Sequence, residues 1–107
     1  DPENAEAYAE RAALWNSLGD AQGAVEDYNE AINCHPESAL FYLERGRLLA
    51  DALGEKTLAT ADFNRFLTLA TPSEFLTHCN EIFDFYGANP APFLVRRMLR
   101  EYSDFDH

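Results

Sequence analysis

Residues 2–18 read PENAEAYAERAALWNSL and residues 36–52 read PESALFYLERGRLLADA, so one pattern occurs twice along the chain. The recurring positions are Pro2, Tyr8, Arg11 and Leu14, matched by Pro36, Tyr42, Arg45 and Leu48, and then Ala24, Asp27, Tyr28, Asn29 and Ala31, matched by Ala59, Asp62, Phe63, Asn64 and Phe66. A repeat of this length is typical of arrays in which each unit buries its apolar face only against its neighbours. The repeat therefore predicts the architecture before any single motif is considered.

Apolar residues within each repeat advance by three or four positions, which predicts a pair of helices per repeat. In the first helix these residues are Ala5, Tyr8, Ala12, Trp15 and Leu18. Asp20 is placed to cap the second helix, and His35-Pro36 ends it, because the residue before a proline avoids α geometry. The predicted helices are 5–18, 21–34, 39–53, 56–70, a fifth that follows the capping-box sequence 71–74 and ends at Gly87, and a last one that opens at Asn89-Pro90.

This pattern predicts an all-α chain in which residues 1–107 form a single domain. Repeat 1 covers residues 5–36, repeat 2 covers 39–72, and 73–102 form a degenerate repeat or a capping helix hairpin. The chain has no initiator Met, and its opening residues 1–4 match residues 35–38, where the first repeat closes. We therefore expect a further repeat to precede this segment in a longer protein.

Composition restricts the classes of partner. The 107 residues include 19 acidic and 8 basic ones and carry a formal charge of −11, which argues against nucleic acid and anionic membranes as partners. Neither a membrane-spanning run nor an N-terminal signal is present, so a soluble, cytoplasmic protein is expected. The two cysteines, Cys34 and Cys79, fall where helical periodicity places apolar groups, which favours two buried thiols over a disulfide.

The residues at these spacings resemble the tetratricopeptide repeat (TPR) family. The first unit has the aromatic, small, glycine and proline positions of that motif at Tyr8, Ala12, Trp15, Gly19, Ala24, Tyr28, Ala31 and Pro36. The second has them at Tyr42, Gly46, Leu49, Ala59, Phe63 and Pro72, with Phe66 where a small residue is usual. The resemblance implies a right-handed helical-hairpin solenoid, made of two TPR-like repeats plus a divergent C-terminal helix pair. Small residues such as Ala12 and Gly46 are expected to let paired helices approach closely.

The resemblance also implies a peptide-binding groove, because such proteins hold an extended peptide or a partner's helix against the first helix of each hairpin. The groove positions here are Glu6, Ala9, Glu10 and Ala13 in the first unit and Leu40, Leu43, Glu44, Arg47 and Asp51 in the second. Acidic residues alternate with small or apolar ones, so a basic, partly apolar peptide is the complementary ligand. The alternative is that these glutamates are only the solvated side of ordinary helices.

One subtype of the family clamps the C-terminal carboxylate of chaperone tails with Lys and Asn on these first helices. In this sequence the corresponding positions hold Ala9, Ala13 and Glu44. Because Glu44 would repel a ligand carboxylate, this subtype does not fit the chain.

Arg11 and Arg45 stand where the motif commonly has an apolar residue, and each unit carries an acid later, Asp27 and Asp62. We expect two structural ion pairs, Arg11 with Asp27 and Arg45 with Asp62, partly buried either between helices or across the repeat junction. The alternative is two solvated arginines whose spacing simply follows the duplication, since most ion pairs are exposed and weak.

Signals for catalysis and for cofactors are weak. The sequence has no Gly-rich phosphate loop and no nucleophile elbow. Cys34-His35 and His78-Cys79 could be imagined as zinc ligands, but neighbours in a helix point about 100° apart, while metal ligands on helices favour spacings of three or four. We expect no enzyme activity, no metal and no cofactor.

Two functional readings remain for such a chain. The first is a protein-protein interaction module or scaffold whose groove binds a segment of another protein. The second is a structural spacer or assembly segment that stacks on neighbouring repeats or on a second copy through its terminal helices. A groove binder should expose apolar side chains in the groove, whereas a spacer should expose them on its terminal helices.

Overall fold

The computed structural model describes residues 2–86 and residue 100, and in that part of the chain it contains helices and no strand. The helices are α1 (Pro2–Ser17), α2 (Ala21–Cys34), α3 (Ala39–Asp51), α4 (Lys56–Leu69) and α5 (Pro72–Tyr86). The predicted all-α class is confirmed for these residues. The predicted last helix, from Asn89-Pro90, lies outside the described residues.

The turns follow the predicted chemistry. Gly19 (φ 85°) and Gly54 (φ 67°) adopt the left-handed conformation that glycine reaches without a steric penalty, each just after the first helix of a hairpin. The Asp20 side chain accepts a hydrogen bond of 2.8 Å from the Gly23 amide and so caps α2. Both the cap and the start of α2 were predicted from the sequence.

The start of α5 is a capping box. The Thr71 hydroxyl accepts from the Glu74 amide at 3.2 Å, and Glu74 Oε1 accepts from the Thr71 amide at 2.9 Å. These two bonds satisfy amides that the first turn of a helix leaves without intrahelical partners. The predicted capping box is therefore confirmed.

The chain divides into two compact units, residues 1–69 and 70–107. In the first unit, α1 packs against α2, α3 packs against α4, and α2 packs against α3. One apolar cluster joins the two hairpins, because Phe41 of α3 packs with Ala31 and Ile32 of α2. In the second unit, α5 buries Phe75 and Ile82.

Small residues set the spacing of the paired helices, as predicted. A Cβ atom added to Gly46 would lie 2.9 Å from the ring of Phe63, closer than real Cβ contacts, and 3.1 Å from Cβ of Asp62, closer than most of them. The helices α3 and α4 can therefore adopt this separation because residue 46 has no side chain. Ala12, at the equivalent place on α1, is fully buried.

The predicted inward face of α1 is partly wrong. Leu18 is 77% exposed and Trp15 is 38% exposed, although the periodicity placed both in the core. The physical reason lies in the repeat: Leu49, the equivalent of Trp15, is 7% exposed on α3, and α3 is a first helix that also packs against the preceding hairpin. In a repeat, apolar residues mark both the face toward the partner helix and the face toward a neighbouring hairpin. Helical periodicity alone does not show which of these faces is covered.

The two cysteines are free and partly buried, so the expected burial is incomplete for both Cys34 and Cys79. Cys34 packs against the cluster that contains Ala31 and Phe41. None of the described helices is both long and apolar enough to cross a membrane.

Candidate functional site

A stripe of mostly exposed residues runs along α1 and α3, and we call it the acidic stripe. It consists of Glu6, Glu10 and Ala13 on α1 and Leu40, Glu44, Arg47 and Asp51 on α3. Within each helix these residues are three or four positions apart, so they share one face. The repeat relates the two halves, since Glu6 corresponds to Leu40 and Glu10 to Glu44.

The C-terminal half of the stripe borders a hollow of about 210 Å³ between α1 and α3. Its lining residues are Asn16, Glu44, Arg47, Leu48, Asp51 and Ala52. Typical small-molecule sites measure about 300–1,000 Å³, so this open hollow fits a side chain of a peptide better than a whole cofactor. The structure thus brings together Glu44, Arg47 and Asp51, which the sequence predicted.

The predicted groove included two residues that point elsewhere. Leu43 is fully buried, so its selection as a ligand contact is wrong. Ala9, its repeat equivalent, is partly buried and packs against the cluster that joins the hairpins. Leu43 is therefore a core residue, and Ala9 contributes to the packing at the junction of the hairpins.

Asn16 lines the hollow but was missed by sequence reasoning. It lies three positions after Ala13, which was included, so the stripe extended by one helical step would have reached it. Its polar amide brings a neutral hydrogen-bonding group to an otherwise charged rim.

The electrostatics of the stripe are acidic. Arg47 Nη1 lies 3.4 Å from Glu44 Oε1, and the two side chains are 43% and 39% exposed. Exposed pairs at this distance are weak, so Arg47 offsets only part of the negative charge that Glu44 brings to the stripe. Burial raises the pKa of Tyr28 on α2 to about 12, the negative charge of Glu44 adds to that effect, and Arg47 opposes it.

Arg11 and Asp27 form the first of the two ion pairs expected from the repeat. Arg11 donates from Nε to Asp27 Oδ2 and from Nη2 to Asp27 Oδ1, both at 2.7 Å. This two-bond geometry matches the guanidinium fork to the carboxylate. The Arg11 hydrogen bonds hold the pKa of Asp27 below its ordinary value, with a smaller contribution from the Trp15 indole.

Arg45 and Asp62 form the second pair with the same geometry. Arg45 donates from Nε to Asp62 Oδ2 at 2.8 Å and from Nη2 to Asp62 Oδ1 at 2.7 Å. A third bond of 2.8 Å runs from Arg45 Nη1 to Oδ1 of Asn29 on α2. One arginine on α3 therefore connects its own hairpin to the preceding one.

The surroundings of the two pairs differ. The Arg11 side chain is 59% exposed, whereas that of Arg45 is 22% exposed, although both aspartate side chains are 7% exposed. Each guanidinium also lies 5.6 Å from the ring centre of the tyrosine one helical turn earlier, Tyr8 or Tyr42. Each pair joins the first helix of its hairpin to the second.

The described His, Cys, Asp and Glu side chains lie too far apart to form a metal site. Within residues 2–86, no group of three His, Cys, Asp or Glu side chains is arranged to hold a metal ion. His78 Nδ1 lies 3.0 Å from Glu81 Oε2, one helical turn away on α5.

Comparison with known proteins does not assign the chain to a family. No family model matches the chain, and no curated protein and no solved structure matches it significantly. The case for a function therefore depends on the residues themselves.

Proposed function

We propose that the chain is a non-enzymatic interaction module that binds a basic, partly apolar segment of another protein on the acidic stripe. The single observation that carries this proposal is the hollow beside Asn16, where Glu44 and Asp51 present carboxylates at the rim. The likeness to tetratricopeptide repeats supports it, because that family uses the corresponding helices as the concave face of a right-handed solenoid. The proposal involves no cofactor and no catalytic residue.

The charge of the stripe favours a basic ligand. The stripe holds four carboxylates, from Glu6, Glu10, Glu44 and Asp51, against the single guanidinium of Arg47. The whole chain carries a formal charge of −11, so a basic ligand is attracted at long range before contact. Binding of this kind weakens as salt screens the charges.

Apolar side chains at the stripe and the hollow favour a partly apolar ligand. Leu40 is 37% exposed at one end of the α3 half of the stripe, and Leu48 and Ala52 line the hollow at the other end. An apolar side chain of the ligand can therefore be anchored at either end while its basic residues meet the carboxylates. We expect modest affinity, because a short groove buries little surface.

Fluorescence anisotropy with labelled peptides tests the proposal. The peptides would form a panel that varies the number of Lys or Arg residues and of Leu or Phe residues independently. We expect binding that requires both classes and that falls as ionic strength rises. A panel in which no peptide binds, or in which acidic peptides bind equally well, would contradict it.

A charge-reversal pair of variants locates the site. Glu44→Lys with Asp51→Lys changes the hollow, and Glu26→Lys with Glu30→Lys makes the same change of net charge on exposed positions of α2. We expect binding to be lost in the first variant and retained in the second. Equal losses in both variants would show that net charge alone attracts the peptide.

The second candidate function is a structural spacer or assembly segment. The observation that favours it is the apolar surface on α1, where Leu14 is 64% exposed and Leu18 is 77% exposed. Light scattering over a range of concentrations separates the two functions: a mass that rises with concentration, and falls again in Leu14→Ser with Leu18→Ser, supports self-association.

A further inference from the structure

The face of α1 that is exposed in this chain repeats the face by which α3 packs on the preceding hairpin. We call it the α1 docking face and define it by Ala7, Tyr8, Arg11, Leu14 and Trp15. The equivalent residues on α3 are Phe41, Tyr42, Arg45, Leu48 and Leu49. Phe41, Leu48 and Leu49 are 7–8% exposed, whereas Leu14 is 64% exposed and Trp15 is 38% exposed.

Polar groups on the two faces are also equivalent. Arg45 uses its third donor, Nη1, to bind Oδ1 of Asn29 on the preceding helix at 2.8 Å. Arg11 makes the same two bonds to its aspartate, but its Nη1 has no hydrogen-bond partner among the described residues. The arginine is already held in position by Asp27, so a docking helix would meet an oriented donor.

The two faces differ in shape at one place. Phe41 fills the space against Ala31 and Ile32 at the junction of the hairpins. Its equivalent, Ala7, leaves an open hollow that is bordered by Asn4, Ala7, Tyr8 and Arg11. A hairpin built like residues 2–34 that packs there fills this hollow only in part, and a larger residue in place of Ala7 would fill the rest.

We infer that the α1 docking face binds a helical hairpin whose second helix presents a side-chain amide to Arg11 and apolar side chains, at the positions of Ala31 and Ile32, to the hollow at Ala7. The chain already forms an interface of this kind between α2 and α3, and the α1 docking face has the equivalent residues on its surface. The occupant is thus a hairpin built like residues 2–34, with its amide at the position of Asn29. This surface lies beside the acidic stripe on α1 and does not depend on the proposed peptide binding.

A chain with one added hairpin tests the inference. A copy of residues 2–35 is inserted directly before Pro2 of the full chain, so that His35 of the copy precedes Pro2 as His35 precedes Pro36. The parent chain has a single Trp, so Trp15 becomes the only reporter when the copied Trp is changed to Phe. Docking is expected to shift the Trp15 emission to shorter wavelength, reduce its quenching by acrylamide, and raise the urea midpoint in one transition.

Two further variants make the test specific. In the extended chain, Ala7→Phe is expected to raise the urea midpoint, while in the parent chain it is expected not to, since its ring would be exposed. Changing the copied Asn29 to Ala is expected to lower the midpoint of the extended chain when Arg11 is present and to have less effect in an Arg11→Lys background.

The inference is overturned if the added hairpin unfolds in a separate transition, or adds no helix by circular dichroism, or leaves the emission and quenching of Trp15 unchanged. It is also overturned if Ala7→Phe has the same effect in both chains. If changing the copied Asn29 to Ala leaves the urea midpoint of the extended chain unchanged, Arg11 does not bind the amide of the docked hairpin, which contradicts the proposal.

Discussion

The two hairpins of the first unit carry the same arginine-aspartate pair in different surroundings. In α1–α2, Arg11 is 59% exposed, and among the described residues its hydrogen-bond partner is Asp27. In α3–α4, Arg45 is 22% exposed and donates hydrogen bonds both to Asp62 and to Asn29 of the other hairpin. The difference is that α3 has a hairpin packed on its outer face and α1 exposes that face. The contribution of a residue in a repeat thus depends on which neighbour covers it, as stacking models of repeat proteins expect.

The largest effect should come from removing the better-buried pair. Arg45→Ala is expected to lower the free energy of unfolding by about 3 kcal/mol, because it leaves the Asp62 carboxylate buried without a partner. Arg11→Ala should cost less, since water reaches its site and the Trp15 indole still faces Asp27. Urea unfolding followed by circular dichroism measures both, with the exposed Lys56→Ala as a control.

Equal decreases in the free energy of unfolding for Arg45→Ala and Arg11→Ala would contradict the difference between the two hairpins. That result would mean that the coverage of α3 by the first hairpin adds nothing to its ion pair. If Asn29→Ala lowers the free energy of unfolding in the original chain but not in the Arg45→Ala background, the effect belongs to the bond between Asn29 and Arg45 that joins the hairpins.

The next effect concerns the closest helix approach. Gly46→Ala should lower the free energy of unfolding by about 1–2 kcal/mol, because the gain in helix propensity is outweighed by overlap with the buried Phe63 ring. At the equivalent position the first hairpin already accommodates Ala12, which is fully buried. Thermal unfolding measures the change, and a stabilised Gly46→Ala protein would show that α3 and α4 can move apart without penalty.

Helix capping gives a smaller difference between the hairpins. Asp20→Ala removes the bond to the Gly23 amide and should cost about 1 kcal/mol. The repeat places Glu55 at the equivalent position before α4, so Glu55→Asp should gain up to about 1 kcal/mol by installing the same cap. Urea midpoints of the two single variants and of an exposed Glu30→Asp control measure this, and a destabilised Glu55→Asp protein would contradict it.

Much of the fold could be predicted because local signals agreed with the repeat. The turn after Gly19, the Asp20 cap and the capping box at Thr71 and Glu74 depend on chemistry within a few residues, and all were confirmed. Arg11 and Arg45 could be matched to their aspartates because duplication gave each the same relative position.

The candidate site was predicted less well, for a physical reason. Periodicity records every face of a helix that makes a packing contact somewhere in an array, but it does not say whether the contact is present. Trp15 was therefore placed in the core although it is 38% exposed, and Leu43 was placed in the groove although it is fully buried. Asn16 was missed because it becomes part of a surface only when α1 and α3 are placed side by side.

The smallest effect at neutral pH should come from Tyr28, whose place in the second hairpin is taken by Phe63. Burial raises the pKa of Tyr28 to about 12, with a further contribution from Glu44, whereas an unfolded tyrosine has a pKa of about 10. The neutral phenol is therefore favoured by folding. Its contribution to stability is fully present below about pH 10 and is lost as the pH rises toward about 12.

Tyr28→Phe should thus leave the free energy of unfolding nearly unchanged at pH 7 and make the protein more resistant than the original chain above about pH 10. Urea unfolding at several pH values measures the difference between the two proteins, and Tyr8→Phe controls for loss of a hydroxyl elsewhere in the same hairpin. If the two urea midpoints fall in parallel across the alkaline range, the pKa of Tyr28 is the same in the folded and the unfolded protein. That result would contradict a pKa raised by burial. The phenol of Tyr28 would then give the first hairpin no sensitivity to alkali beyond that of the second hairpin, which has Phe63 at the equivalent position.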